Sequence, residues 1–147
     1  MNIYNTLLTL GTGALVGGLI WYILLVIGTW KMFEKAGIAG WKSLIPIYNT
    51  YLTFKICWQP SMFWWWVVSA VLGIWLSGYN GIAGYLGIAA GIVYSIIVAV
   101  LYYNLSLSFG HGLGYFLGLY FLTPIFIMVL GFGASRYSGS RYYSAGF

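Results

Sequence analysis

The sequence predicts an all-α integral membrane protein with four transmembrane helices and one short interfacial or re-entrant helix. Three observations predict it. Charged residues make up only 5% of the chain and hydrophobic residues 62%, whereas soluble domains are about a quarter charged. A water-soluble fold of 147 residues cannot cover its surface with seven acid and base side chains, so lipid must serve as its solvent. Four apolar stretches approach the roughly 20 residues that a helix needs to cross a bilayer, and tryptophans cluster near their ends, where headgroups would lie.

The first span runs from Leu7 to Trp30, with Tyr4 and Trp30 as interfacial anchors. No basic residue precedes it, and its apolar run is too long for the core of a cleaved signal, so it reads as a retained anchor. The segment 31–58 that follows holds most of the charge: Lys31, Glu34, Lys35, Lys42 and Lys55. Its first half is a polar loop broken by Gly37 and Gly40. Its second half, Leu44 to Trp58, is apolar but only about 15 residues, roughly 22 Å as helix, and it contains Pro46, Asn49 and Lys55. It is too short and polar to cross and reads as a helix in the interface or a re-entrant piece, with Pro46 in the first turn. The second span, Ser61 to Ser77, is short and carries Trp64, Trp65 and Trp66 at one end and Trp75 at the other. An uncharged turn from Gly78 to Gly81 leads to the third span, Ile82 to Leu105. A glycine-rich loop, Ser108 to Gly114, carries His111. The fourth span, Leu113 to Phe132, is expected to kink at Pro124. Residues 1–133 form one transmembrane domain, and 134–147 form a short polar tail, extended along the surface.

Orientation follows from the excess of lysine in the first loop, which places 31–58 on the cytoplasmic side. Four crossings then put both termini outside, with Arg136 and Arg141, against that same bias. A fifth crossing by Leu44–Trp58 would relieve the conflict but would separate Lys55 from Lys31, Lys35 and Lys42; four crossings are preferred.

Few groups could carry chemistry. One His, one Cys and one carboxylate make a poor metal-ligand inventory. Cys57 is alone, so no intramolecular disulfide can form. No ionisable residue sits mid-span, where proton relays and ion paths place theirs. Thr9, Thr12, Ser69, Ser95 and Thr123 can bond to their own helices. Asn104, near a helix end, is expected to be satisfied by water or headgroups. Glu34 is expected to pair with Lys31 or Lys35. His111 reads as a solvated loop histidine, with ligation of a pigment as the alternative. Glycines recur at four-residue spacing: Gly13 and Gly17, Gly87 and Gly91, and Gly110, Gly114 and Gly118. In lipid, such faces allow close helix approach, either within the bundle or against another subunit.

The run Lys31-Met-Phe-Glu-Lys-Ala-Gly-Ile-Ala-Gly-Trp41-Lys-Ser-Leu-Ile-Pro46-Ile-Tyr48-Asn49 resembles the "K-x-F-x-K-A-G-x-x-G-W-K-x-L-I-P-x-Y-N" segment of a bacterial membrane family of unknown function, DUF5684. Ser108-Phe-Gly-His-Gly-Leu-Gly114 is similar to that family's "S-F-G-K-G-x-G" loop, with His111 in place of lysine. Leu130-Gly-Phe-Gly-Ala-Ser-Arg-Tyr137 is similar to its "L-G-F-G-x-x-x-Y" close. The resemblance implies a multi-pass protein of the bacterial cytoplasmic membrane. It also carries a signal peptidase I label attached to some members, whose module can precede a peptidase domain. That chemistry pairs a serine nucleophile with a later lysine. Ser61-Met62 superficially fits the nucleophile, but Lys55 is the last lysine.

The expected function is therefore a non-catalytic accessory or scaffold subunit of a larger membrane complex. The alternative is a self-assembling channel or membrane-perturbing protein. Expected partners are membrane lipids and other integral membrane subunits or further copies of the chain, and not nucleic acid. Lys31, Lys35, Trp41, Lys42 and Lys55 are expected to touch lipid or partner, as are the faces carrying Gly13, Gly17, Gly87, Gly91, Gly114 and Gly118. No cofactor is expected beyond bound phospholipid, with a pigment at His111 as the alternative.

Overall fold

The computed structural model describes residues 2–140, without the side chains at positions 4, 6, 7 and 10. The anchoring expected of Tyr4 and the placement of Arg141 lie outside the described residues. Among those described, the fold is all helical. Helix α1 spans Ile3–Lys35, a 3-10 turn covers Gly40–Leu44, and α2 spans Pro46–Cys57. Then come α3 over Ser61–Ser77, α4 over Ile82–Ser108, α5 over Leu113–Phe121 and α6 over Thr123–Phe132.

Among the described residues two helices are long and apolar enough to cross a membrane: α1 over Gly11–Lys35, and α4. The other two expected spans fall short of that length. Helix α3 keeps the expected boundaries, but its 17 residues reach only about 25 Å. The expected fourth span is two helices, of 9 and 10 residues. The chain leaves helical geometry at Leu122 (φ −128°, ψ 48°). Pro124 follows, where it lacks the N–H that would bond back into α5 and its ring would crowd the preceding turn. At the first turn of a new helix the same residue costs little, so the expected kink is a complete break.

After the break the chain turns back. The ring of Phe126 packs edge-on against Tyr115, with centroids 5.5 Å apart, and occupies the space beside Gly118. Helices α5 and α6 thus form a hairpin. Helix α6 then runs parallel to α1: Gly28 lies against the backbone of Ile127 and Met128, and Gly131 lies against Gly28 and Lys31. A Cβ on Gly131 would sit 2.6 Å from the Gly28 carbonyl oxygen, so the two backbones are in direct contact, as small residues permit. Helices α3 and α4 form a second, longer hairpin, with Gly87 against Leu76 and Ser77, and Gly73 against Gly91.

Helix α2, with 12 residues and Pro46 in its first turn, is about 18 Å long and cannot cross, as expected. It buries Leu52, Phe54, Ile56 and Cys57 against the bundle. The core gathers at one end of the molecule, where Met32, Phe33, Phe54, Leu105, Leu119 and Leu130 are fully enclosed. We call this the basic end, because the lysines lie there. Toward the opposite end α1 projects from the bundle: every described side chain from Gly11 to Ile23 is exposed, and Tyr22 reaches back to the Leu44 carbonyl (3.5 Å).

Candidate functional site: three motifs at one end of the bundle

The first two sequence motifs are helix stops of the same design. At the end of α1, Ile38 N–H donates to the Phe33 carbonyl (2.8 Å) and Gly37 N–H to that of Glu34 (3.1 Å). At the end of α4, His111 N–H donates to Ser106 O (2.9 Å) and Gly110 N–H to Leu107 O (3.0 Å). Gly37 and Gly110 have φ of 75° and 76°, the left-handed conformation that closes a helix in a Schellman motif and favours glycine. After the first stop, Gly40 lies under the indole of Trp30, which leaves no room for a Cβ. The Trp30 Nε1–H donates to Glu34 (2.7 Å), which also pairs with Lys31 (2.8 Å). The Asn49 side-chain amide donates to the Ser43 carbonyl (3.2 Å) and ties α2 to the 3-10 turn.

The third motif binds the other two together. The Lys35 ammonium donates to the carbonyls of Leu130 (2.6 Å), Gly133 (2.7 Å) and Ser135 (2.9 Å). These carbonyls are the open end of α6 and the first turns of the tail. A cation there satisfies orphan acceptors and meets the negative end of the helix dipole. The Ser135 hydroxyl is 2.6 Å from His111 Nε2, and the His111 ring stacks on Tyr115 at 3.7 Å. Ser138 donates through both its N–H and its hydroxyl to the Ser108 carbonyl. Tyr137 lays its ring beside Phe109 (5.5 Å) and donates its hydroxyl to the Ile56 carbonyl. Ser140 reaches the Trp58 carbonyl (3.0 Å). The described part of the tail, residues 134–140, is a strap across the ends of α1, α2, α4 and α6; the rest of the tail expected to lie extended along the surface is outside the described residues.

Burial pushes the pKa of the Tyr137 phenol up, with the neighbouring Cys57 adding to the shift. Burial also drives the Cys57 thiol far up, so it stays protonated and packs as a small hydrophobe. Among the described residues no cluster of His, Cys, Asp and Glu could hold a metal.

The expected contact residues separate. Lys35 has its ammonium committed to three carbonyls. Lys31 is held by Glu34, and Trp41 remains exposed. Gly87 and Gly118 are filled by neighbours within the chain, whereas Gly13, Gly17, Gly91 and Gly114 have no heavy atom within 4 Å of an added Cβ. Asn104 departs from expectation. It is 4% exposed rather than solvated at a helix end, and its Nδ2 has no partner among the described residues. Lys35, Ser135 and Tyr137 were not legible as a unit, because their partners are mainly backbone carbonyls distant in sequence.

A model of a family of unknown function, DUF5684, matches residues 41–140. The chain belongs to this family. The match contains Trp41–Asn49, the Ser108–Gly114 stop and the Leu130–Tyr137 close, while Lys31–Gly40 lies just ahead of it. No curated protein and no solved structure matches the chain. Two of the three shared motifs contain the residues that join this DUF5684 member's helices at the basic end. The first continues into that junction from Lys35, which lies ahead of the matched stretch.

Proposed function

We propose that this chain is a non-catalytic subunit of a larger assembly in the bacterial cytoplasmic membrane, docking through the free half of α1. One observation carries the reading. From Gly11 to Ile23 every described α1 side chain is exposed, and Gly11, Gly13, Gly17 and Gly18 have open space where a Cβ would be. Four glycines of the bundle contrast with this: Gly28, Gly87, Gly118 and Gly131 are each filled by a neighbour, whereas Gly91 and Gly114 are open like those of α1. An interior helical glycine costs about 1 kcal/mol relative to alanine; Gly13 and Gly17, four residues apart, share one face of α1, and a partner helix approaching there would offset that cost.

In this reading α1, α3 and α4 cross the bilayer and the α5–α6 hairpin is re-entrant. Each hairpin arm is about 13–15 Å long, roughly half the hydrocarbon thickness. The basic end faces the cytoplasm, since Lys31, Lys35, Lys42, Lys55 and Arg136 all belong to it. Helix α3 is accommodated by local thinning of the bilayer, with Trp64 and Trp75 at its two interfaces.

The test is gentle extraction from native membranes followed by intact-complex mass measurement, with Gly13→Leu/Gly17→Leu as the comparison. A stoichiometric unrelated subunit, lost in the double variant while the bundle's melting is unchanged, is expected. A ring of identical chains, or an assembly indifferent to the substitutions, would overturn the reading.

A further inference from the structure

One cavity of this molecule sets hydroxyls and an amide among the hydrocarbon of Leu25, Leu101 and Ile127. It lies between α1 and α2, over α4 and the tip of the α5–α6 hairpin, and has a volume of about 120 Å³. Its polar lining is Thr29 from α1, Asn49, Thr50 and Thr53 from α2, Tyr102 from α4 and Thr123 from α6. Four separate elements therefore deliver polar side chains to one place, in a chain whose helices are otherwise almost wholly apolar.

The hydrogen bonds decide what this lining can hold. Each threonine donates its proton back to its own helix: Thr29 to Leu25 O (2.7 Å), Thr50 to Pro46 O (3.1 Å), Thr53 to Asn49 O (2.9 Å) and Thr123 to Leu119 O (2.7 Å). One N–H of the Asn49 amide goes to Ser43 O, which leaves its second, and the Tyr102 hydroxyl bonds with Thr123. The threonine protons are committed, so apart from the second Asn49 N–H what remains on these groups is acceptor capacity: the hydroxyl lone pairs and the Asn49 Oδ1. A guest must therefore bring donors. A cation would bring them, but the lining contains no carboxylate to balance its charge, and an unbalanced buried charge is costly. An anion would find no cation and mainly acceptors in this lining. An uncharged hydroxyl- or amide-bearing molecule meets both conditions. At about 30 Å³ per water, the volume corresponds to about four waters or one small polyol.

We propose that this cavity is a binding site for one small uncharged polyol, of which a glyceryl group is the type. Such a group can come from a free solute or from the headgroup of a glycerol-bearing phospholipid. This inference stands apart from the docking role of α1, because no cavity residue lies in the free half of that helix.

The experiment is saturation-transfer NMR from the protein to glycerol, with the full chain in phosphatidylcholine nanodiscs. Thr29→Val/Thr53→Val is the comparison, since it replaces hydroxyl by methyl at nearly constant volume. Protection of Cys57 from maleimide shows that the variant is folded; if it is not, each single substitution is measured. Transfer to glycerol that weakens about tenfold or more in the variant is the expected result. Competition by phosphatidylglycerol in the nanodisc would assign the headgroup as the source, and its absence would assign a free solute. No transfer, equal transfer in a folded variant, or stronger transfer to methylammonium than to glycerol would overturn the proposal.

Discussion

Replacing Lys35 by methionine keeps the length and apolar stem of the side chain and removes three hydrogen bonds at once. Those bonds run to carbonyls 95 to 100 residues away along the chain, so their loss is felt in how the C-terminal strap docks, more than in α1 itself. Bonds to a charged donor are worth about 1.5–3 kcal/mol each when fully protected. Here the site is only part-buried, and water recovers much of that value. About 1 kcal/mol per bond, about 3 kcal/mol in all, is the reasonable net loss. That corresponds to about a hundredfold shift in the docking equilibrium of the strap. The assay is the rate at which a cysteine at Ser138 reacts with maleimide in mild detergent, beside the thermal unfolding midpoint. Lys35→Met should raise the labelling rate by about that factor and lower the midpoint, and Lys35→Arg should recover part of both. If Lys35 instead served a lipid headgroup, Lys35→Met would change the response to anionic lipid and leave Ser138 labelling alone. That pattern would refute the reasoning.

Other outcomes follow from the same contacts. Gly131→Ala pushes a Cβ into the Gly28 carbonyl and should cost about 1–3 kcal/mol in unfolding, while Gly13→Ala, with open space around it, should cost the isolated chain nothing; equal effects would refute the α1–α6 contact. Cys57 should resist alkylation until the chain is unfolded in strong detergent; rapid labelling of folded protein would show the α2 packing to be wrong. Because burial raises its thiol, the folded state keeps a proton that the unfolded state releases above its ordinary value of about 8.5. Stability should therefore fall as pH rises beyond that point, by at most about 1.4 kcal/mol per unit, and Cys57→Ser should flatten this slope; a slope unchanged in the variant would assign it elsewhere. Tyr137→Phe keeps the ring against Phe109 and loses the bond to Ile56 O, so Ser138 labelling should rise about fivefold, for about 1 kcal/mol; an unchanged rate would mean that the hydroxyl contributes nothing to the strap.

Features of this fold that depend on neighbours in sequence were readable in the chain. Gly37 and Gly110 mark helix stops because a left-handed residue closes a helix locally. Pro46 opens α2 for an equally local reason, and Lys31 meets Glu34 across one turn. The long apolar runs of α1 and α4 set their own lengths. The reversal inside 113–132 was not readable. An apolar run interrupted by one proline fits a kinked crossing as well as a hairpin, and the choice between them rests on Phe126 reaching Gly118 and on Gly131 meeting Gly28. The strap was hidden for a related reason. Ser135 and Ser138 look like solvated tail residues until the fold brings His111 and the Ser108 carbonyl beside them. The hydroxyl cavity was missed because Thr29, Thr50 and Thr53 each satisfy their own protons locally. Only the spacing of Thr50 and Thr53 on one face of α2 hinted that they act together.

The reversal also bears on the charge conflict. Lys35 touches the carbonyl of Ser135, the residue next to Arg136, so whichever membrane face takes the lysines takes that arginine too. On the proposed topology the two no longer compete, and no fifth crossing is needed. A half-depth hairpin raises a different difficulty, since backbone that leaves helical geometry inside a bilayer must find partners. Here Leu122 N–H donates to Gly118 O and Phe126 N–H to Leu122 O, while the Thr123 hydroxyl covers Leu119 O. Irregular backbone at such depth is tolerated where protein covers it or where it lines a polar cavity. Thr123 lies at the tip of the hairpin and in the wall of the hydroxyl cavity. The turn and the cavity therefore explain one another: the break gives the cavity one of its walls, and the cavity gives the break a polar place to lie.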